Sequence, residues 1–173
     1  MTAMRQPLRS GLLALGFLAC TGCDQAAKAI ARDALASSPP VTLLGGAVRL
    51  EYTENPGAFL SLGANLPPAA RFLVGVVFVA VSLAALLVFA LRAAGLSPRQ
   101  RTGLALILGG GLGNLIDRLI NHGQVIDFVS LGIGRLHTGI FNLADVAITA
   151  GVLMVFLSFR RRSGSEPESE LAA

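Results

Sequence analysis

Eight polar residues stand in or beside long apolar stretches: Asp24, Lys28, Asn114, Asp117, Arg118, Asp127, Asn142 and Asp145. An ionisable group near the middle of a bilayer costs about 2.5–3.5 kcal/mol on insertion scales, so each asks for a reason. Helical spacing groups them. Asp24 and Lys28 are four apart and can pair; Asn114 shares a face with Asp117 and Arg118; Asn142 and Asp145 are three apart. Each set forms a polar stripe that avoids lipid by facing other helices. Two carboxylates brought close cannot comfortably both ionise, so they hold one proton between them. Such a pair can take a proton from water with one aspartate while the other donates to the carbonyl of an amide. The titration belongs to the pair, and neither aspartate is assigned the proton. The competing role is structural, since polar side chains bond across membrane helices for about 0.6 kcal/mol each. Asp24 and Lys28 fit that role or a part in shaping the site. Asn114, Asp117 and Arg118 fit scaffolding as well as catalysis, with Arg118 placed to neutralise a carboxylate and Asn114 to orient one. Asp127 and Asp145 have no basic partner close in sequence, which points to a chemical purpose.

Other chemistries lack their residues. His122 and His137 have no H-E-x-x-H or similar ligand spacing, so no metal is expected. No G-x-S-x-G stands near a matched histidine. The run Gly109-Gly110-Gly111-Leu112-Gly113 lacks the Lys-Ser/Thr of a phosphate loop and reads as small residues permitting close helix approach. Cys20 and Cys23, the only cysteines, lie in the first apolar segment and read as two small membrane-helix residues. No cofactor is expected.

The elements that must hold these residues read as membrane helices. The chain is 53% hydrophobic and 14% charged over 173 residues, against about 25% charged in soluble domains. Four segments reach the roughly 20 residues needed to cross a hydrocarbon core: about 11–30, 72–91, 103–120 and 139–159. Lys and Arg flank these segments instead of forming a stripe with interleaved aromatics, which excludes nucleic acid as a partner. With both termini inside, eight arginines (Arg5, Arg9, Arg92, Arg99, Arg101, Arg160, Arg161, Arg162) face the cytoplasm and four (Arg32, Arg49, Arg71, Arg135) face outward. In that topology the polar residues gather near the outer face, with Asp127 in a loop and Asp145 roughly 9 Å into the last helix. The basic start, apolar run and cysteines of residues 1–23 imitate a secretory or lipoprotein signal, but three further spans follow, so a retained anchor helix is expected. In the outer loop, residues 31–71, Val48, Leu50 and Tyr52 alternate with Arg49, Glu51 and Thr53 as in a strand. Gly45-Gly46, after Val41 to Leu44, suits a hairpin turn. The expected fold is an all-α membrane protein of four transmembrane helices with a small extracytoplasmic β-sheet element. Residues 1–162 form one membrane-embedded domain, and 163–173 a disordered cytoplasmic tail.

Five motifs in order resemble the signal peptidase II family, the lipoprotein signal peptidases: D-Q-A-A-K (Asp24 to Lys28), N-P-G-A-F (Asn55 to Phe59), G-N-L-I-D-R (Gly113 to Arg118), V-I-D-F (Val125 to Phe128) and F-N-L-A-D (Phe141 to Asp145). The resemblance implies a multi-pass aspartic endopeptidase of the bacterial cytoplasmic (inner) membrane. Its substrate would be a diacylglyceryl-modified prolipoprotein, cut just before the lipidated cysteine. It implies Asp127 and Asp145 as the catalytic dyad, with Asn55, Gly57, Asn114, Arg118, Asn142, Asp24, Lys28 and Asp117 as binding or supporting residues. It also implies inhibition by the cyclic peptide globomycin. Ala27 stands where Thr is common, and Leu60-Ser61 where Ser often follows Phe directly, which bears on substrate fit. A substrate anchored by acyl chains, each buried CH₂ worth about 0.8 kcal/mol, brings its peptide bond to the interface where these aspartates gather. The rival functions are a proton-conducting transporter, which also uses intramembrane Asp and Lys, and a non-catalytic assembly scaffold. Polar residues confined to one face speak against a conducting path.

Overall fold

The structure, a computed structural model, describes residues 5–57, 63–134 and 136–163. Four helices and one small antiparallel sheet make up these residues. Helix α1 is Arg5–Leu35, α2 Pro68–Arg92, α3 Pro98–Ile120 and α4 Leu143–Ser163. The strands are β1 Val41–Leu43, β2 Val48–Asn55, β3 Val125–Ile133 and β4 Leu136–His137, in the order β1-β2-β3-β4. Helices α2 and α3 are long and apolar enough to cross a membrane, and α4 carries a shorter apolar stretch, Leu143–Phe159.

Local chemistry sets the helix ends. Helix α1 runs past the expected residue 30 to Leu35 and gives way to a turn before Pro39-Pro40, a pair that cannot continue a helix. Pro68 and Pro98 occupy first-turn positions, where a missing N–H costs nothing. Ser97 and Gln100 close a reciprocal cap at the start of α3: Gln100 N donates to Ser97 Oγ at 3.3 Å and Ser97 N to Gln100 Oε1 at 2.8 Å. Within α2, Leu73–Phe78 form a π-helical stretch.

Helix α3 is the hub. Its glycines let three other helices approach so closely that a Cβ would collide with each. A methyl on Gly109 would lie 2.8 Å from Cys20 Cβ of α1, on Gly110 2.5 Å from the Ala144 carbonyl of α4, and on Gly111 2.5 Å from Leu83 Cδ2 of α2. The glycine run is therefore a packing device. Helix α2, by contrast, buries little of itself and stands at the edge of the bundle.

The turn between β1 and β2 includes Gly45 and Gly46, both at positive φ (65° and 98°), as the hairpin reading requires. Strand β3 is new. The segment read as a loop around Asp127 pairs with β2, with Thr53 opposite Asp127 and Asn55 opposite Val125. Its Val125, Ile126, Val129 and Ile133 carry the β-branched content of a strand. The expected tail lies outside the described residues beyond Ser163, as do Arg135, Ala58, Phe59, Leu60 and Ser61.

Candidate active site

Helix α4 does not begin near residue 139. Phe141 is still extended and exchanges backbone hydrogen bonds with Val129 of β3. Asn142 then caps the helix. Asp145 N donates to Asn142 Oδ1 at 3.0 Å, and Asn142 N donates back to Asp145 Oδ2 at 3.3 Å. This reciprocal cap, an N-x-x-D version of the capping box, puts Asp145 in the first turn of α4, where the helix dipole favours a carboxylate. The start is thus fixed by a cap that apolar content alone does not reveal.

The same asparagine reaches the second aspartate. Asn142 Nδ2 donates to Asp127 Oδ1 at 2.6 Å and lies 3.1 Å from Asn114 Oδ1. Asp127 therefore sits beside Asp145, joined to it through one side chain. Its other oxygen accepts from Asn55 Nδ2 at 2.8 Å, while Asp145 Oδ1 accepts from Asn114 Nδ2 at 3.0 Å. Asp127 is 2% exposed and Asp145 8%. Burial above all pushes the Asp127 carboxyl up to about 6; the Asp145 charge acts the same way, and the bonds from Asn55 and Asn142 and the charge of Lys28 oppose it.

Behind this pair lies a second buried cluster. Lys28 Nζ is 2.8 Å from Asp24 Oδ2, 3.0 Å from Asp117 Oδ2 and 2.8 Å from Asn114 Oδ1. The lysine thus does more than pair within its own helix: it ties α1 to α3 and fixes which end of the Asn114 amide faces Asp145. Asp24 Oδ1 accepts from Ala144 N at 2.9 Å, using a free N–H at the start of α4. Asp117 Oδ2 accepts from Ile126 N at 3.0 Å and so pins β3 to α3. Gly113 leaves room for Asp24, whose Oδ2 would be 2.5 Å from an added Cβ.

Arg118 closes the other side. Its Nη2 donates to the Gly57 carbonyl at 3.0 Å and its Nη1 to the Asn114 carbonyl at 3.2 Å. Gly57 N donates to Asn55 Oδ1 at 2.9 Å, so the N-P-G segment is held by the guanidinium and by the asparagine that also bonds Asp127. Arg118 makes these bonds to carbonyls, and the charges of Asp145 and Asp127 act on it from nearby. A cleft of about 430 Å³, with Val79, Asn114, Arg118, Asp145 and Ile148 among its lining, opens beside Asp145. Its walls are apolar apart from the asparagine, the arginine, the aspartate and Thr149.

Residues 16–161 match the family described as Signal peptidase (SPase) II. The chain belongs to the signal peptidase II family. Lipoprotein signal peptidases similar to it include one from Syntrophus aciditrophicus, 36% identical over 88% of this chain and 92% of the relative. Another, from Caldicellulosiruptor bescii, is 34% identical over 83% and 87%. The 50% identity to the Burkholderia ambifaria relative spans about half of each chain, 51% and 54%. A solved bacterial membrane enzyme shares the fold with a TM-score of 0.77, 24% identity and coverage of 93% and 94%. The family is one of proteases in lipoprotein processing, and the fold is that of a bacterial membrane enzyme, mostly helical with a small antiparallel sheet.

The structure brings all ten family-motif residues singled out in the sequence into one connected network. Gln25 was missed. Its amide donates to Asp117 Oδ1 at 2.9 Å and to the Gly113 carbonyl at 3.0 Å. Its position directly after Asp24 in a motif was the available signal. His122 and His137 lie apart from the aspartates, His122 in the lining of a second cleft and His137 at the sheet, 3.2 Å from the Gly46 carbonyl.

Proposed function

We propose that the chain is an intramembrane aspartic endopeptidase that removes the signal peptide from diacylglyceryl-modified prolipoproteins by cutting before the lipidated cysteine. The observation that carries this reading is the bonding of Asn142 to both Asp127 and Asp145, the second of which lines an apolar cleft. In the proposed reaction one aspartate takes a proton from water as the water oxygen bonds to the scissile carbonyl carbon. The other donates its proton to the carbonyl oxygen, giving a neutral tetrahedral adduct. Collapse of the adduct breaks the C–N bond, and a proton passes to the leaving amine of the cysteine. Asn142, Asn114 and Asn55 hold the carboxylates; Arg118 holds the Gly57 carbonyl just beyond β2, where substrate backbone would run. The apolar cleft wall suits the signal peptide or an acyl chain.

The four helices cross the bilayer in this reading as one domain over residues 1–162, with both termini in the cytoplasm and the sheet on the outer surface of the inner membrane. By the family resemblance, globomycin should block this cleavage. The test is signal-peptide release from a lipidated prolipoprotein in proteoliposomes. Asp127→Asn and Asp145→Asn should each abolish release while the protein stays folded and inserted. Full activity in either variant removes that residue from the dyad.

A further inference from the structure

A second cleft, of about 230 Å³, opens where the first turn of α2 meets the end of α3. Its lining includes two arginines and a histidine, Arg71, Arg118 and His122, and no carboxylate. Arg118 is already engaged, since it donates to the carbonyls of Gly57 and Asn114. Arg71 is not. Its Nε is buried and has no hydrogen-bond acceptor among the described residues. A buried donor left unsatisfied costs about 1–3 kcal/mol, so such a group in a native protein points to an absent partner. Around the guanidinium, Phe72 and Leu119 complete the walls, 57% and 63% exposed, and Leu73 continues the apolar surface at 60%. The helix start beside them has no side-chain cap, which adds positive potential. Cationic donors thus sit directly beside exposed aliphatic and aromatic side chains at the end of two membrane-length helices.

We propose that this cleft binds the phosphodiester headgroup of an anionic phospholipid, with Arg71 as the principal donor and the lipid's acyl chains lying along Phe72, Leu73 and Leu119. A planar guanidinium suits a phosphate because its parallel N–H bonds match two oxygens. The adjoining apolar wall selects a lipid over free phosphate, since a small anion gains nothing from it. Arg118 lines both this cleft and the one beside Asp145, so the bound lipid is a neighbour of the active site. Assignment to the outer leaflet rests on the topology proposed above; the headgroup site itself does not.

The experiment is native mass spectrometry of the full chain released from mixed micelles with phosphatidylglycerol or phosphatidylcholine of identical acyl chains. Wild type should retain phosphatidylglycerol preferentially. Arg71→Gln should weaken that retention about tenfold, the scale of one charge-assisted hydrogen bond, with Arg71→Lys in between. His122→Asn, chosen because His122 has a positive φ of 54° that Asn tolerates, tests the second wall. Equal retention of the two lipids by wild type, or equal phosphatidylglycerol retention by wild type and folded Arg71→Gln, overturns the proposal. Competition by millimolar inorganic phosphate alone would instead mark a free-anion site and overturn the lipid assignment. Asp127→Asn should keep full lipid retention while losing cleavage. Loss of the peptidase reading would therefore leave the lipid result intact, and loss of lipid selectivity would leave cleavage to be judged separately.

Discussion

Replacing Asp127 by Asn should change stability in a way that depends on pH with a calculable swing. The Asp127 carboxyl is raised from an ordinary 3.8 to about 6, chiefly by burial. Its folded state therefore binds the proton more tightly than the unfolded chain. Stability contributed by the protonated form is complete below about 3.8, is lost as pH rises through about 6, and is constant above. The gap of about two pH units, at 1.36 kcal/mol each, makes ionised Asp127 a burden of about 3 kcal/mol at neutral pH. Asparagine never ionises and escapes that burden, but it has a cost of its own. Asn55 and Asn142 both donate to the Asp127 oxygens, at 2.8 and 2.6 Å, and an amide offers one oxygen where two are needed. The mismatched donor costs about 1–3 kcal/mol at every pH. The variant should thus be less stable than wild type near about pH 3.5 and equal or more stable near about pH 7.5, a swing of about 3 kcal/mol. Denaturation in mixed micelles with increasing SDS, followed by circular dichroism across that range, measures it. A stability difference that stays constant with pH would refute the raised carboxyl and the burial argument behind it.

Asn142→Ala removes one hydrogen bond from each aspartate and the cap of α4; turnover should fall about 100-fold, as misplacement of reacting groups by about an ångström does, while KM moves little. The split is read from prolipoprotein cleavage kinetics. Lys28→Met leaves Asp24 and Asp117 buried without their cation, and should cost about 3–5 kcal/mol, seen as poor recovery from membranes and a lowered unfolding temperature. Adding Asp24→Asn should restore part of that loss, and no recovery at all would mean the ion pair is not the cause. Gly113→Ala drives a methyl against Asp24 and should destabilise, whereas Gly22→Ala meets no atom within 4 Å and should be neutral or gain about 0.5–1 kcal/mol from helix propensity. Similar melting of the two variants would discount the close approach at Gly113.

Much of the site was legible because membrane helices make polar residues conspicuous. Asp24, Lys28, Asn114, Asp117, Arg118, Asn142 and Asp145 stand out against their apolar neighbours, and i,i+3 and i,i+4 spacing groups them before any contact is known. The glycine run announced close packing, and the Gly45-Gly46 turn announced the hairpin, because both depend on properties of single residues. Helix starts were less legible. Apolar content extends the last helix back to residue 139, but the Asn142–Asp145 cap places it at Leu143, a four-residue signal that hydropathy overlooks.

What the sequence alone determined is the inventory: which polar groups enter the apolar layer, the phase they share, and the motifs that mark the family. Tertiary structure decided the partners. Asp127 became a strand residue because β3 found β2, and only that pairing brings Asn55 to its carboxylate. Lys28 reaches Asp117 and Asn114 across helices, and Asn142 joins residues from a strand and a helix. Links in the same network span up to 120 positions of chain, as between Asp24 and Ala144. Local periodicity cannot encode distances of that kind, because they depend on how closely glycine lets one helix lie against another.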